Sequence, residues 1–381
     1  MDVSPTRFSL YYFDAYHDFT LPRHYTNDQK AILLRFTPCR NNNTYNLTML
    51  SQIRTRLQSW WQQTPLPAAA ATPSFQKWHG FAQDQWMPFT SDKTSTPGKH
   101  QWVGSIRLVS WNVNADAPLP KSRMSALLRA IETTGAADAV FLQEVSREGL
   151  TALLEDSWLQ QNWYISDVDA SAYGTQKFIS ITLVSKFWVA TDSIQLGAVW
   201  RVALPSRFGR DALCCDLIFN SSSKHTSGRV STRIRLINVH LDSLPINPSM
   251  RPRQVSICAS YLSAAGRGIV AGDFNGILPE DDDLVSNNGL ADAWAELHPN
   301  DSGHTWGVYG EQSFPPNRLD KVALLNLRPS AMRILQTSEM ESYGAETSAD
   351  VAEQGSNAHF SDHLGLWCNI SWTEDRPRQE R

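Results

Sequence analysis

Six short stretches of this chain share one layout: an apolar run that meets a carboxylate, amide or imidazole at one end. They are Ile106-Arg-Leu-Val-Ser-Trp-Asn112, Ala139-Val-Phe-Leu-Gln-Glu144, Ile234-Arg-Leu-Ile-Asn-Val-His240, Gly268-Ile-Val-Ala-Gly-Asp-Phe-Asn275, Arg318-Leu-Asp320 before Lys321-Val-Ala-Leu-Leu325, and Ser361-Asp-His363 before Leu364-Gly-Leu-Trp367. Runs this short and this rich in β-branched residues are unsuited to globular helices and predict buried strands. Most deliver the polar residue where the run stops, at the rim of a sheet. The last two open on it, as antiparallel neighbours reaching the same rim would. Asn, Glu, His, Asp and Asn converging there with further Asp and His side chains make a site for metal-assisted phosphoryl transfer.

The stretches between these runs carry helical spacing. Arg123–Thr134 places Met124, Leu127, Leu128 and Ile131 on one face, and Gly149–Leu159 and Pro252–Ala265 follow the same period. Consecutive strands at Phe178–Val184 and Ala212–Ile218, with strand–helix alternation before them, predict two packed mixed sheets flanked by helices.

Residues 1–100 differ in character. Ala31–Phe36 reads as a strand, Leu47–Gln63 as a helix, and the Pro- and Ala-rich Thr64–Pro73 as a linker. Trp78, Phe81, Trp86 and Phe89 follow, either packing on the core or forming a partner-binding motif. The expected organisation is an N-terminal extension over 1–100, a catalytic domain over 101–373 and a polar tail over 374–381. The acidic run Glu280-Asp-Asp-Asp283 reads as a solvated loop.

Taken in order, the blocks Trp-Asn, Gln-Glu, His-Leu, Gly-Asp-x-Asn, Arg-x-Asp and Ser-Asp-His resemble those of the endonuclease/exonuclease/phosphatase superfamily. Each pair alone is a weak signal; the ordered set is specific. Within the superfamily the chain is most similar to the tyrosyl-DNA phosphodiesterase 2 type. Leu142-Gln-Glu-Val145, His240-Leu-Asp-Ser243 followed by Arg253-Gln254, and Ser361-Asp-His-Leu-Gly-Leu366 carry that similarity. The resemblance implies a DNase I-like four-layer α/β sandwich. It also implies cleavage of a 5′-phosphotyrosyl-DNA linkage to leave a 5′-phosphate, on a single-stranded or recessed DNA end.

The residue chemistry assigns expected roles. Glu144, a lone carboxylate behind an apolar run, is the expected ligand of Mg²⁺, with Mn²⁺ as a substitute, because a hard cation with retained waters needs few carboxylates. A Glu paired with an Arg is the alternative. Asn112 offers an amide oxygen beside the metal or an amide donor to phosphate. Asp273 orients or deprotonates the attacking water while Asn275 donates to phosphate, unless the pair forms a self-satisfied Asx turn. Asp320 fixes the tautomer of His363, which donates to the transition-state oxygen. Asp362 assists the metal through water. The resemblance adds a phosphate contact for His240, which chemistry alone leaves open as a buried structural histidine. Relatives often place an Asp where Asn114 stands, and that departure removes one charge near the cation. Asn114, Arg210, Arg251, Arg253, Trp306 and Arg318 are candidate substrate contacts, with pairing to an active-site carboxylate as the alternative for Arg318.

A net charge of -4 and a pI near 6.2 exclude a protein that coats long duplex DNA through a basic surface. A grip on a few nucleotides needs only a local cationic patch. The five cysteines show no CxxC spacing, so buried thiols and a reducing compartment are expected. No apolar run reaches about 18 residues. A soluble, monomeric, intracellular protein, nuclear or cytoplasmic, without membrane contact, is expected. Abasic DNA, RNA tails or lipid headgroups are the alternative substrates, and a non-catalytic binding module is the remaining class.

Overall fold

The computed structural model describes residues 72–89, 104–134, 137–190, 194–222, 229–310, 312, 314–336 and 360–372. The expected strand at 31–36, the helix at 47–63 and the tail lie outside the described residues. All described residues belong to one compact unit, Gln58–Arg381.

Two mixed sheets form its centre. The first has the order β1 (Ser74–Gln76), β8 (Ile194–Ala203), β9 (Asp211–Ser222), β10 (Arg229–His240), β11 (Gly268–Asp273), β13 (Asp320–Leu325), β12 (Ala291–Asp292). The second runs β14 (Arg328–Leu335), β15 (Gly365–Ser371), β4 (Ser105–Asn112), β5 (Ala139–Ser146), β7 (Phe178–Ser185), β6 (Trp163–Ile165), β2 (Trp78–Ala82), β3 (Gln85–Phe89). Among the described strands, only β10–β11 and β4–β5 pair in parallel. The sandwich therefore takes up residues 74–89 as strands of both sheets, ahead of position 101.

Alternation along the strands fixes the layers, because successive side chains leave a strand on opposite faces. Ile106 and Leu108 of β4, Phe141 of β5, Ile234 and Leu236 of β10, and Ile269 and Ala271 of β11 join one core between the sheets. The intervening Val109, Trp111, Val140 and Leu142 pack outward with Met124, Leu127 and Leu128 of α1 (Pro120–Thr133) and Leu150 and Leu153 of α2 (Arg147–Glu155). Ile237, Val239 and Val270 pack outward with Val255, Cys258 and Leu262 of α5 (Arg251–Ala265). The result is the expected four-layer α/β sandwich. Short helices α3 (Ser157–Asn162), α4 (Lys186–Ala190) and α6 (Ala293–Leu297) complete it.

Local chemistry explains two departures from the expected elements. The single helix predicted over 149–159 is two, because the Asp156 side chain accepts from the Leu159 N–H and caps α3 after α2 has ended. The acidic run at 280–283 is not wholly solvated. Asp281 is buried and takes the Arg251 guanidinium at 2.7 Å, with Ser249 Oγ and the Ile277 and Leu278 N–H groups also donating to it.

At Gly272 the chain has φ 136°, and a Cβ there would lie 1.9 Å from the Val239 carbonyl oxygen. Only glycine lets β11 lie this close to β10 and carry Asp273 to the rim.

Among the described residues, no helix is long and apolar enough to cross a membrane.

Candidate active site

The strand ends place their polar residues in the phase that faces the gap between the sheets. Asn112 continues the inward series of Ile106 and Leu108, His240 that of Ile234 and Leu236, Asp273 that of Ile269 and Ala271. Asp320 pairs with Asp273 across β11–β13.

Glu144 is the exception. It follows Val140 and Leu142, which face α1, so simple alternation would turn it away from the rim. A bulge prevents this. Leu142 pairs with Ile181 and Val145 with Ile179, so two residues of β5 oppose one of β7. Val145 takes the outward place, and Glu144, at φ 59°, turns inward. A left-handed non-glycine residue costs on the order of 1–3 kcal/mol and persists only where surrounding contacts over-determine it. Those contacts are present: Asn112 Nδ2 donates to Glu144 Oε1 at 3.0 Å and the Ala115 N–H to Oε2 at 3.1 Å.

Asn112 Nδ2 also donates to Asp273 Oδ2 at 3.0 Å, so one buried amide bridges the two carboxylates. Its oxygen accepts from the Asn114 N–H at 3.0 Å. The amide thus turns nitrogen, not oxygen, toward the carboxylates, unlike the metal-ligand geometry expected of it. His240 Nε2 stands 3.8 Å from Glu144 Oε1 and 3.6 Å from Asp273 Oδ2. Burial, with Arg210 and His363 nearby, pushes His240 well below its ordinary value, so the ring is neutral.

His363 behaves oppositely. Burial would lower it, but Asp320, Asp273 and Asp362 outweigh that and raise it to about 10. Its Nδ1 lies 2.8 Å from Asp320 Oδ2, and its Nε2 lies 3.8 Å from Asp273 Oδ2. Asp273, buried and close to Asp320 and Glu144, is raised to about 7 despite His363 and the Asn112 hydrogen bond. The supporting groups come from two of the six blocks and from Thr305, which lies outside them. Ser361 Oγ donates to Asn112 O and accepts the His363 N–H, Trp111 Nε1 donates to His363 O, and Thr305 Oγ1 accepts the Asp320 N–H.

Two ligand sets emerge among the described residues: Glu144, His240 and Asp273, and Asp273, Asp320 and His363, each with one ligand atom within 4.8 Å of the others. His240 Nδ1 and Asp320 Oδ1 are buried without a hydrogen-bond partner. Glu144 and Asp273, two carboxylates that share one amide donor and face a neutral His240, fit a divalent cation beside them, which would offset the cost of burying their charge.

The remaining candidates divide. Arg210 approaches the site, its guanidinium 5.0 Å above the Phe178 ring and its Nη2 donating to Ser243 Oγ at 2.9 Å. Burial lowers it, and Glu144 and Asp273 partly offset that. Trp306 bridges to His363 through its backbone and donates from Nε1 to Asp362 at 3.0 Å. Arg251 is corrected from substrate contact to core: it is 1% exposed and is spent on Asp281 and on the carbonyls of Asp242 and Leu244. Arg253 is buried on the same helix. Arg318 pairs with Asp292, the N-cap of α6, at 2.8 Å, a carboxylate outside the site and not the active-site partner expected of it. Asn114 and Asn275 are left-handed turn residues, at φ 50° and 49°. Asn114 Oδ1 accepts the Asp116 and Ala117 N–H groups, and Asn275 Nδ2 donates to Leu241 O at 3.2 Å rather than pointing free at a phosphate.

Sequence reasoning assigned no role to Asp242, Gln254 or Arg123. Asp242 and Gln254 exchange hydrogen bonds, and Asp242 also accepts from Ser206 Oγ and the Arg207 N–H, fixing the loop that ends in Arg210. Their signal was present in the His-Leu-Asp-Ser and Arg-Gln blocks. Arg123 ties the loop after β4 to Phe360 by donating to the carbonyls of Val113, Asn114, Ala117 and Phe360. On an amphipathic helix nothing distinguishes it from a solvated arginine.

Residues 109–373 match the Endonuclease/Exonuclease/phosphatase family. The chain belongs to this family. Its members are hydrolases acting on phosphodiesters. Among solved structures, a complex of D. rerio tyrosyl-DNA phosphodiesterase 2 (TDP2) with single-strand DNA product has 20% identity and a TM-score of 0.52, covering 70% of this chain and 99% of that one. Truncated Caenorhabditis elegans TDP2 has 18% identity and a TM-score of 0.50, covering 70% and 97%. A Bacteroides thetaiotaomicron protein of the same family has 15% identity and a TM-score of 0.50, covering 72% and 100%. At these identities the likeness is one of fold. No curated protein matches the chain.

Proposed function

We propose that this chain is a divalent-metal-dependent phosphodiesterase that hydrolyses a 5′-phosphotyrosyl-DNA linkage and leaves a 5′-phosphate. The observation that carries the chemistry is the opposite poise of two buried groups one contact apart. His363 stays protonated at neutral pH against Asp320, while Asp273, Nε2-to-Oδ2 3.8 Å away, is raised to a value suited to a proton acceptor.

Glu144, beside His240, would hold Mg²⁺, with Mn²⁺ as a substitute, and Asp362 would assist through water. When bound, the cation supplies positive charge for a non-bridging phosphate oxygen. The protein does the rest. Asp273 orients the attacking water and takes its proton, and the protonated His363 donates to the developing oxyanion. Asn112 keeps the Glu144 and Asp273 carboxylates in register. Arg210 and Trp306 are the substrate contacts we assign, Arg210 beside Phe178 and Trp306 anchored on Asp362.

The substrate reading draws on the sequence blocks at 142–145, 240–243 and 361–366 and on TDP2 structures among the fold neighbours, one of them holding single-strand DNA product.

The test is single-turnover cleavage of a short oligonucleotide with a 5′-phosphotyrosyl group, with Mg²⁺ and with chelator, beside an abasic duplex. Tyrosine release is expected only with Mg²⁺, and is lost in Glu144→Ala and Asp273→Asn. Turnover of the abasic duplex alone would overturn the substrate and keep the chemistry. Metal-independent release would overturn the chemistry.

A further inference from the structure

Glu144 reaches the rim only because β5 bulges, and a bulge next to a site is held by something. The side-chain hydroxyl that touches the backbone just beyond the bulge belongs to Tyr173, on the short turn Ala170–Tyr173 far from the six sequence blocks. It meets the carbonyl oxygens of both Val145 and Ser146, at 3.1 and 3.0 Å. The ring is 1% exposed and packs in the outer core with Leu142, Val145 and Leu150. The Arg147 guanidinium covers its face at 4.4 Å. The residue's position is therefore fixed by packing, and its hydroxyl is aimed at the two peptide units where the strand gives way to α2.

We propose that Tyr173 is a positioning residue: by pinning the Val145 and Ser146 carbonyls it fixes the bulge that turns Glu144 inward, and so sets how tightly the rim holds a divalent cation. Asn112 and Ala115 hold the carboxylate end of Glu144, and Tyr173 holds its backbone end. Without the hydroxyl, the left-handed Glu144 can relax toward regular pairing with β7, which would swing its carboxylate toward α1. The inference rests on the reading of Glu144 as a cation ligand.

Mn²⁺ binding to the full chain, followed by the loss of the free-ion electron paramagnetic resonance signal, tests it without any substrate. Three proteins are compared: the parent, Tyr173→Phe and Glu144→Gln, each also melted in chelator to monitor folding. Phenylalanine keeps the ring and its packing and removes only the hydroxyl. The expected result is that Tyr173→Phe weakens Mn²⁺ binding by ~10-fold or more, the range for groups that orient a ligand. Two results would overturn the inference alone. One is parent-like Mn²⁺ affinity in Tyr173→Phe beside weakened binding in Glu144→Gln. The other is a lowered melting temperature in Tyr173→Phe with parent-like affinity, which marks a purely structural tyrosine. Parent-like affinity in Glu144→Gln would overturn the ligand reading and the inference with it.

Discussion

The Nδ1 of His363 lies 2.8 Å from Oδ2 of Asp320, with both side chains buried at the facing ends of β15 and β13. A carboxylate here fixes which imidazole nitrogen faces the rim and stabilises the protonated ring. Asp320→Asn keeps the shape and removes the charge. It is expected to lower the single-turnover rate at neutral pH by about 10²–10⁴-fold, with little change in KM, and to move the alkaline limb of the pH–rate profile to lower pH. A loss confined to KM would show that the pair binds substrate instead of serving the chemical step.

The same contact has a consequence for stability. His363 is raised from 6.5 to about 10 in the folded chain, so the folded state binds its proton more tightly than the unfolded state does. Its contribution is fully present below pH 6.5 and is lost as pH rises through about 10. Melting in chelator should therefore show a gap between the parent and His363→Gln that closes as pH approaches about 10. Nearer neutrality Asp273, raised to about 7 and held down in part by His363, titrates as well and does not cancel in the difference. Lys321, lowered to about 8, titrates with the opposite sign, but it does so in both proteins and drops out of the difference. A gap that does not change with pH would refute the linkage.

Arg251 and Asp281 bury an ion pair at 2.7 Å under the 240–250 loop, each side chain 1% exposed. Removing one partner leaves the other charge buried and unpaired, so Arg251→Ala should cost ~3–5 kcal/mol in urea unfolding. Replacing both, as Arg251→Met with Asp281→Leu, should recover only part of that, because Ser249 Oγ, the Ile277 and Leu278 N–H groups and the Asp242 and Leu244 carbonyls lose their partners as well. If Arg251→Ala unfolds like the parent but loses substrate affinity, Arg251 is a substrate contact after all.

That reassignment shows where sequence reading ran out. The strands were legible because period-two alternation and polar ends survive any packing arrangement, and the order of the six blocks brought Asn112, Glu144, Asp273, Asp320 and His363 to one rim. What a linear reading cannot give is the partner of a charge. Arg251 and Arg318 read as substrate contacts and Asp281 as part of a solvated loop, and each finds an ion-pair partner 26 to 30 residues away. Nor could alternation foresee the bulge at Glu144, since counting from Val140 sends that carboxylate to the wrong face. The roles of Asn114 and Asn275 were hidden for a related reason: an Asn after a strand suits a left-handed turn as well as a phosphate contact, and here both asparagines are in the turn.

The Asp242 carboxylate sits where the 240–243 block meets the loop before β9. It accepts from Ser206 Oγ, from the Arg207 N–H at 3.0 Å and from Gln254 Nε2 at 2.9 Å, while Gln254 returns the contact to the Asp242 N–H at 3.1 Å. Ser206 Oγ in turn accepts the Phe208 and Arg210 N–H groups, so the chain of contacts ends at the arginine beside the site. If Asp242 acts through that loop, Asp242→Ala should raise KM for the phosphotyrosyl oligonucleotide, and the effect should depend on Arg210 being present. Combined with Arg210→Ala, it should add little further loss, a coupling of about 1 kcal/mol or more in the double-mutant cycle on kcat/KM. Purely additive losses would separate the two residues, and Asp242 would then be no more than a buried anchor for the turn.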